Sequence, residues 1–178
     1  MPVKEKTMRE NKAVAVTVTL KGKPVTLVGK RVKVGDSAPD CILVANDSSE
    51  VKLSSFKGQK LILSVVPSLD TGICDLQTKR FNKEAANLAN VKILAISMDL
   101  QTAQKRWCGA TGSDKIQTLS DHKYASFGEA YGVLIKELRW LARSIFIIDE
   151  KWKIQYIQIV PEIGTEPNYD EALKALNK

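Results

Sequence analysis

The chain has few residues that bind metals or form disulfides. Its 178 residues include three cysteines and one histidine. No Cys-x-x-Cys pair occurs, and Cys41, Cys74 and Cys108 lie 33 and 34 residues apart. That spacing does not resemble a zinc site, and it argues against a thioredoxin-type dithiol reductase. Neither a Gly-x-x-x-x-Gly-Lys phosphate loop nor a Gly-x-Gly-x-x-Gly turn is present. No run of 18 apolar residues exists to span a bilayer. Met1 to Lys12 is mixed in charge and lacks the apolar centre of a secretory signal, so a cytoplasmic location is expected. In that setting a sparse set of thiols points to catalysis or redox sensing rather than to a disulfide framework.

Apolar residues make up 44% of the chain, enough for a solid core, and the length predicts a single domain over 1–178. The net charge of +7 is uneven: residues 1–60 carry 12 Lys/Arg against 6 Asp/Glu, and the remainder is nearly balanced. Lys21, Lys23, Lys30, Arg31 and Lys33 are interspersed with apolar residues, as on the wet face of a hairpin. A solvated strand face accounts for them without a nucleic-acid partner.

Periodicity predicts alternating strands and helices. Ala13 to Leu20 and Val25 to Val28 read as an N-terminal β-hairpin, about residues 13–28, turning at Lys21-Gly22-Lys23-Pro24. Asp40 to Ala45, Leu61 to Val66, Val91 to Ser97, Ile116 to Leu119, Ser144 to Ile148 and Lys153 to Val160 read as strands. Helices are expected over Cys74 to Ala89, Gln101 to Cys108 with Gly109 as cap, Tyr124 to Tyr131, and Asp170 to Leu176. The result is an α/β fold, a mixed central sheet flanked by helices.

The chemistry concentrates in Pro67-Ser68-Leu69-Asp70-Thr71-Gly72-Ile73-Cys74. This stretch leaves an apolar strand and opens a helix. A cysteine in the first helical turn meets unpaired backbone N–H groups and the positive end of the helix dipole, and both stabilise negative charge on sulfur. A structural cysteine buried under the helix is the other reading of that position. Thr71 lies one turn earlier, where its hydroxyl can cap the helix, bond the sulfur, or orient a substrate. Pro67 fixes the turn and removes an N–H. Gly72 leaves room for a small reactant to approach. Arg143 leads into the apolar strand Ser144 to Ile148, whose interior gives a lone cation no other evident purpose; a surface residue at a strand end is the other reading of that position. Cys41 sits in the apolar pattern Cys41-Ile42-Leu43-Val44 and reads as buried and structural, and His122 reads as an exposed loop residue.

Pro-x-x-x-Thr-x-x-Cys resembles the active-site motif of the peroxiredoxins, and the fuller Pro-Ser-Leu-Asp-Thr-x-x-Cys is similar to their thiol peroxidase branch, the atypical two-cysteine type. Trp107-Cys108-Gly109-Ala110-Thr111-Gly112 resembles the segment with that branch's resolving cysteine. Leu141 to Asp149 resembles its arginine-bearing strand, and Thr165-Glu166-Pro167-Asn168-Tyr169 its C-terminal signature. The resemblance runs from about Val14 to the end.

It implies a thioredoxin-like fold and reduction of hydrogen peroxide and organic hydroperoxides without a cofactor. Cys74 would attack, Arg143 would stabilise the thiolate and the developing charge, Thr71 would orient the peroxide, and Pro67 would shield the sulfur. Cys108 would resolve the sulfenic acid as an intrachain Cys74–Cys108 disulfide. A thioredoxin-like donor would restore both thiols, and the protein would be a homodimer without membrane or nucleic-acid partners. One stretch departs from the pattern: Ile135 to Trp140 stands where the family has a glycine-containing loop, which places Trp140 at the pocket rim or in a dimer contact. Two rivals remain at this point. One is a redox sensor that uses the same disulfide to switch a partner; the other is a basic nucleic-acid-binding module.

Overall fold

The computed structural model describes residues 17–177. The alternating apolar runs assemble into a seven-stranded mixed sheet. Its strands are β4 (Ile42–Val44), β5 (Glu50–Lys52), β6 (Lys60–Val65), β7 (Val91–Ser97), β8 (Gln117–Ser120), β11 (Ser144–Ile148) and β12 (Ile154–Ile159), in the order β12-β11-β6-β7-β8-β4-β5. The central β6-β7-β8 pairs are parallel and the outer pairs antiparallel. Central strands are apolar on both faces because both are covered. Leu61, Leu63 and Val65 of β6 enter one core with Phe146 and Ile148, and Ile62 enters the other with Ile145 and Ile147.

The helices α1 (Gly72–Ala85) and α4 (Tyr169–Ala175) cover the Ile62 face with Phe81, Ala172 and Leu176. On the opposite face lies α3 (Ser126–Tyr131), whose Phe127 and Tyr131 stack at 4.3 Å and meet Phe146 edge-on. Helix α2 (Gln101–Thr111) packs on β8.

The expected elements are present, with informative differences. Residues 13–16 of the expected first strand lie outside the described residues. The hairpin that is seen is short: β1 (Val18–Leu20) pairs with β2 (Lys23–Val25) around Lys21 and Gly22, both at positive φ. The expected return strand divides after Val25, and β3 (Leu27–Val28) pairs instead with β9 (Leu134–Ile135). β9 in turn pairs with β10 (Trp140–Leu141), so the stretch before Arg143 is a small hairpin. Helix α3 begins two residues later than expected because Ala125 is left-handed at φ 52°. Helix α1 starts earlier and stops at Ala85 rather than Ala89.

The cap of α2 is a correction with consequences. Gly109 is helical, and Gly112 terminates the helix at φ 64°, the left-handed geometry that glycine adopts without strain. Cys108 therefore does not end the helix; it lies inside the last turn.

Candidate active site

Cys74 is the third residue of α1, after Thr71 in the N-cap position. It is 1% exposed and clusters with Val66 and Leu69, against which Trp107 packs. Arg143, 2% exposed, stands immediately before β11, and its position in the central sheet brings it beneath α1. Its Nη2 donates to Cys74 Sγ at 3.3 Å, Nη1 to Gln77 Oε1 at 2.9 Å, and Nε to the Ile163 carbonyl at 2.9 Å. A guanidinium carries five N–H donors in a planar fork, so these bonds leave donors for an oxygen next to the sulfur.

Gln77 is the relay. Its amide oxygen receives Arg143 while its nitrogen donates to Ser64 Oγ at 2.9 Å. Ser64, the only polar residue of β6 after Lys60, and Gln77, one turn after Cys74, are both fully buried. Sequence reasoning passed over this pair, although a polar residue in a buried strand and a glutamine on the apolar face of α1 were the signal.

Pro67 and Thr71 line the same cleft as Cys74 and Arg143, a cavity of about 780 Å³ walled by Leu20, Leu76, Trp140 and Ile163. Trp140 is thus at the pocket rim. Thr71 does not cap α1 with its side chain; the hydroxyl donates to the Ser68 carbonyl at 3.1 Å. With its proton committed there, the Thr71 oxygen has lone pairs to accept from a bound O–H group. Gly72 lines the cleft too, and a Cβ built on it meets no protein atom within 4 Å, so a side chain there would project into open space.

The loop is held from below by a second network that the sequence did not reveal. Asp99 accepts from Ser68 Oγ, from Leu69 N and from Ser97 Oγ, each at 2.7 Å. Gln104 of α2 donates to Ser97 Oγ and to the Leu119 carbonyl, both at 3.0 Å. The two strand ends, the loop and α2 are therefore one hydrogen-bonded unit.

Cys108 faces elsewhere. Its sulfur lies 3.5 Å from Thr118 Oγ1, whose proton is used on Asn46 Oδ1 at 3.0 Å, which leaves the thiol as donor. It lines a polar cavity with Asn46, Lys92 and Thr118, not the cleft over Cys74. All three cysteines are free thiols. Cys41 is buried, as expected, and burial pushes its thiol far up, with Asp121 and Asp40 adding to the effect. His122 is half-buried rather than exposed, because its Nδ1 bonds Ser120 Oγ at 2.8 Å.

The Redoxin family profile matches residues 33–173. Thiol peroxidases of Oceanobacillus iheyensis and Bacillus subtilis are 56% and 57% identical to this chain, each over 90% of it and 98% of their own length. The chain belongs to the thiol peroxidase family. Its fold agrees with that membership. A peroxiredoxin-like protein from Aquifex aeolicus, 44% identical, superposes with a TM-score of 0.86 over 92% of this chain and 96% of its own. Thiol peroxidase from Chromobacterium violaceum, at 20% identity, shares the fold with a TM-score of 0.81 over 90% and 95%. The thioredoxin-like architecture expected from the sequence is therefore the family's own.

Proposed function

We propose that this chain is a thiol peroxidase that reduces hydrogen peroxide and organic hydroperoxides with Cys74 as the attacking sulfur. The observation that carries this reading is the buried Arg143, whose guanidinium donates to Cys74 Sγ at 3.3 Å at the floor of an open apolar cleft. A cation held against sulfur by charge-assisted bonding stabilises the thiolate, which is the nucleophile.

The thiolate attacks one peroxide oxygen, the O–O bond breaks, and the second oxygen leaves with a proton as water or an alcohol. Cys74 becomes a sulfenic acid. Arg143 donates to the oxygens as charge builds on them, and the Thr71 oxygen accepts the hydroperoxide O–H and so aligns the bond for attack. Buried Pro67 offers no N–H to hold water against the sulfur.

Cys108 then attacks the sulfenic sulfur, water leaves, and the Cys74–Cys108 disulfide forms within the chain. Because Cys108 faces Thr118, the end of α2 must unwind or turn for the sulfurs to meet. A thioredoxin-like dithiol returns both cysteines to thiols, and the cycle draws on no other cofactor. The apolar cleft with its exposed neighbours Leu76 and Trp140 suits a homodimer contact. Among the described residues no helix is long and apolar enough to cross a membrane, and a cytoplasmic location fits the low cysteine content.

The test is steady-state turnover with excess peroxide, thioredoxin and thioredoxin reductase. Many turnovers by the parent and none by Cys74→Ser are expected. Consumption of a single equivalent would favour the sensor reading instead, and activity in Cys74→Ser would remove Cys74 from the role.

A further inference from the structure

Two of the three groups that hold Arg143 come from α1, namely Cys74 and Gln77. The third, the Ile163 carbonyl, comes from the segment between β12 and α4. That segment has no regular element of its own to fix it. It is fastened to the N-terminal hairpin. Thr19 N donates to the Pro161 carbonyl at 2.7 Å, and Ile163 N to the Thr19 carbonyl at 2.9 Å. Between these bonds sits Glu162. One carboxylate oxygen accepts from Thr19 Oγ1 at 2.7 Å and Gly22 N at 3.0 Å, and the other from Lys21 N at 3.0 Å and Gly164 N at 3.1 Å. Both lone-pair sets of a single side chain are thereby spent on joining the hairpin turn to the residues on either side of Ile163. The four donors hold the carboxyl down at about 2, so the group is an anion at any working pH.

We propose that Glu162 is a positioning residue for the peroxide-reducing step, fixing the Ile163 carbonyl that orients the Arg143 guanidinium against Cys74. This rests on the reading of Cys74 and Arg143 given above. A guanidinium held at Nε, Nη1 and Nη2 has its plane set. With the Nε anchor loosened, the fork pivots about Gln77 and the donors no longer point at one place. Leu20, Lys21, Ile163 and Gly164 also line the cleft, so the same carboxylate could act by shaping the wall. Hydrogen peroxide is too small to feel that wall, which separates the two effects.

The experiment measures the rate of Cys74 oxidation by hydrogen peroxide in a single turnover, followed by intact mass, in the parent, Glu162→Gln, Arg143→Met, and the double variant. Glutamine places N–H donors opposite backbone N–H groups and undoes half of the staple. Glu162→Gln should slow oxidation roughly 3- to 10-fold, the effect of losing one ordinary hydrogen bond at the transition state. In the Arg143→Met background it should add less than about twofold, because its effect passes through the arginine. Equal slowing in both backgrounds, or none in the parent, overturns the proposal. Thr19→Val, which removes a single donor, should give a smaller change in the same direction. Glu137→Gln is the control: Glu137 anchors Thr26 N of the same N-terminal segment but does not touch residues 161–164, and its rate should equal the parent's. Slowing by Glu137→Gln as large as by Glu162→Gln would reduce the effect to general loosening and overturn the proposal. Circular dichroism establishes that each variant is folded. A parent that consumes no peroxide would instead sink the Cys74 reading, and this inference with it.

Discussion

The Trp107 indole donates to the Asp75 carboxylate at 3.1 Å, and each partner is the chain neighbour of a thiol, Cys108 on one side and Cys74 on the other. One hydrogen bond thus locks α2 onto α1 in the arrangement that keeps the two sulfurs in separate cavities. Trp107 also covers Val66, Leu69 and Cys74 with its ring. Asp75 has a second partner, Lys79 at 2.8 Å, so it is not stranded if the indole leaves.

Trp107→Phe should therefore retain most of the apolar cover and lose the latch. Losing a bond worth about 1 kcal/mol lowers the cost of moving α2 by that much and should speed disulfide formation after oxidation about fivefold. The first, peroxide-reducing step should change little. Rapid-mixing fluorescence or quenched mass analysis separates the two steps; an unchanged resolution rate would count against the latch.

Gln77→Leu leaves Arg143 Nη1 and Ser64 Oγ without their buried partner. An unmet buried polar group costs about 1–3 kcal/mol, which urea unfolding should reveal as a lowered midpoint. The guanidinium also loses one of its three anchors, so Cys74 oxidation should slow alongside the loss of stability. A variant as stable and as fast as the parent would mean that the relay is incidental.

How far could such a site be read before folding? The strands were legible because fully covered strands are continuous apolar runs, and Leu61 to Val66 and Ser144 to Ile148 are such runs. Arg143 was legible as a lone cation leading one run and Cys74 as a thiol in the first turn of the helix after the other, and the structure brings them together. Gln77 and Ser64 were not, because each is an ordinary polar residue until the helix is set on the sheet. Gly109 looked like a cap because a glycine follows Cys108; whether a glycine is left-handed depends on where the last helical carbonyls find donors, and here that is Gly112. The pairing of β3 with β9 was out of reach, since two-residue strands carry no period. Glu162 had no local sign of its role: three of its four donors lie some 140 residues earlier in the chain.

Asp121 gives the fold a pH signature of its own. Burial pushes its carboxyl up to about 6, against the lowering effect of the Gly128 and Phe127 amides that donate to it at 2.8 and 2.9 Å. A carboxyl raised in the folded state above its unfolded value of about 3.9 binds a proton on folding in the window between them. Its contribution is fully present below about pH 4 and lost as pH rises through about 6. Relative to Asp121→Asn, which does not titrate, the parent should lose on the order of 2–3 kcal/mol between pH 4 and pH 7. Paired urea titrations across that range check this. A constant difference between the two proteins would mean that the carboxyl titrates as in the unfolded chain.

Cys108→Ser should divide the catalytic cycle. Nothing that Cys74 needs for attack comes from Cys108: the sulfur's neighbours are Arg143, Val66, Leu69 and Trp107, and Cys108 faces Thr118. One equivalent of peroxide should be consumed at the parent rate. The sulfenic acid then has no resolving thiol within reach, so it should persist, pass to the sulfinic acid with more peroxide, or pair between chains. Thioredoxin-driven turnover should fall sharply. In the parent, closing a loop of this length would stabilise the oxidised form by about 4 kcal/mol on chain entropy alone. The same closure breaks the Cys108–Thr118 contact, the Trp107–Asp75 bond and part of the last turn of α2, which opposes that gain. The oxidised protein should therefore melt close to the reduced one, and amides of residues 105–112 should exchange faster with solvent. Peptide mapping after one equivalent of peroxide fixes the connectivity. A major disulfide through Cys41, with Cys108 left free, would remove Cys108 from the resolving role; the burial that pushes the Cys41 thiol up argues that Cys41 stays unreacted.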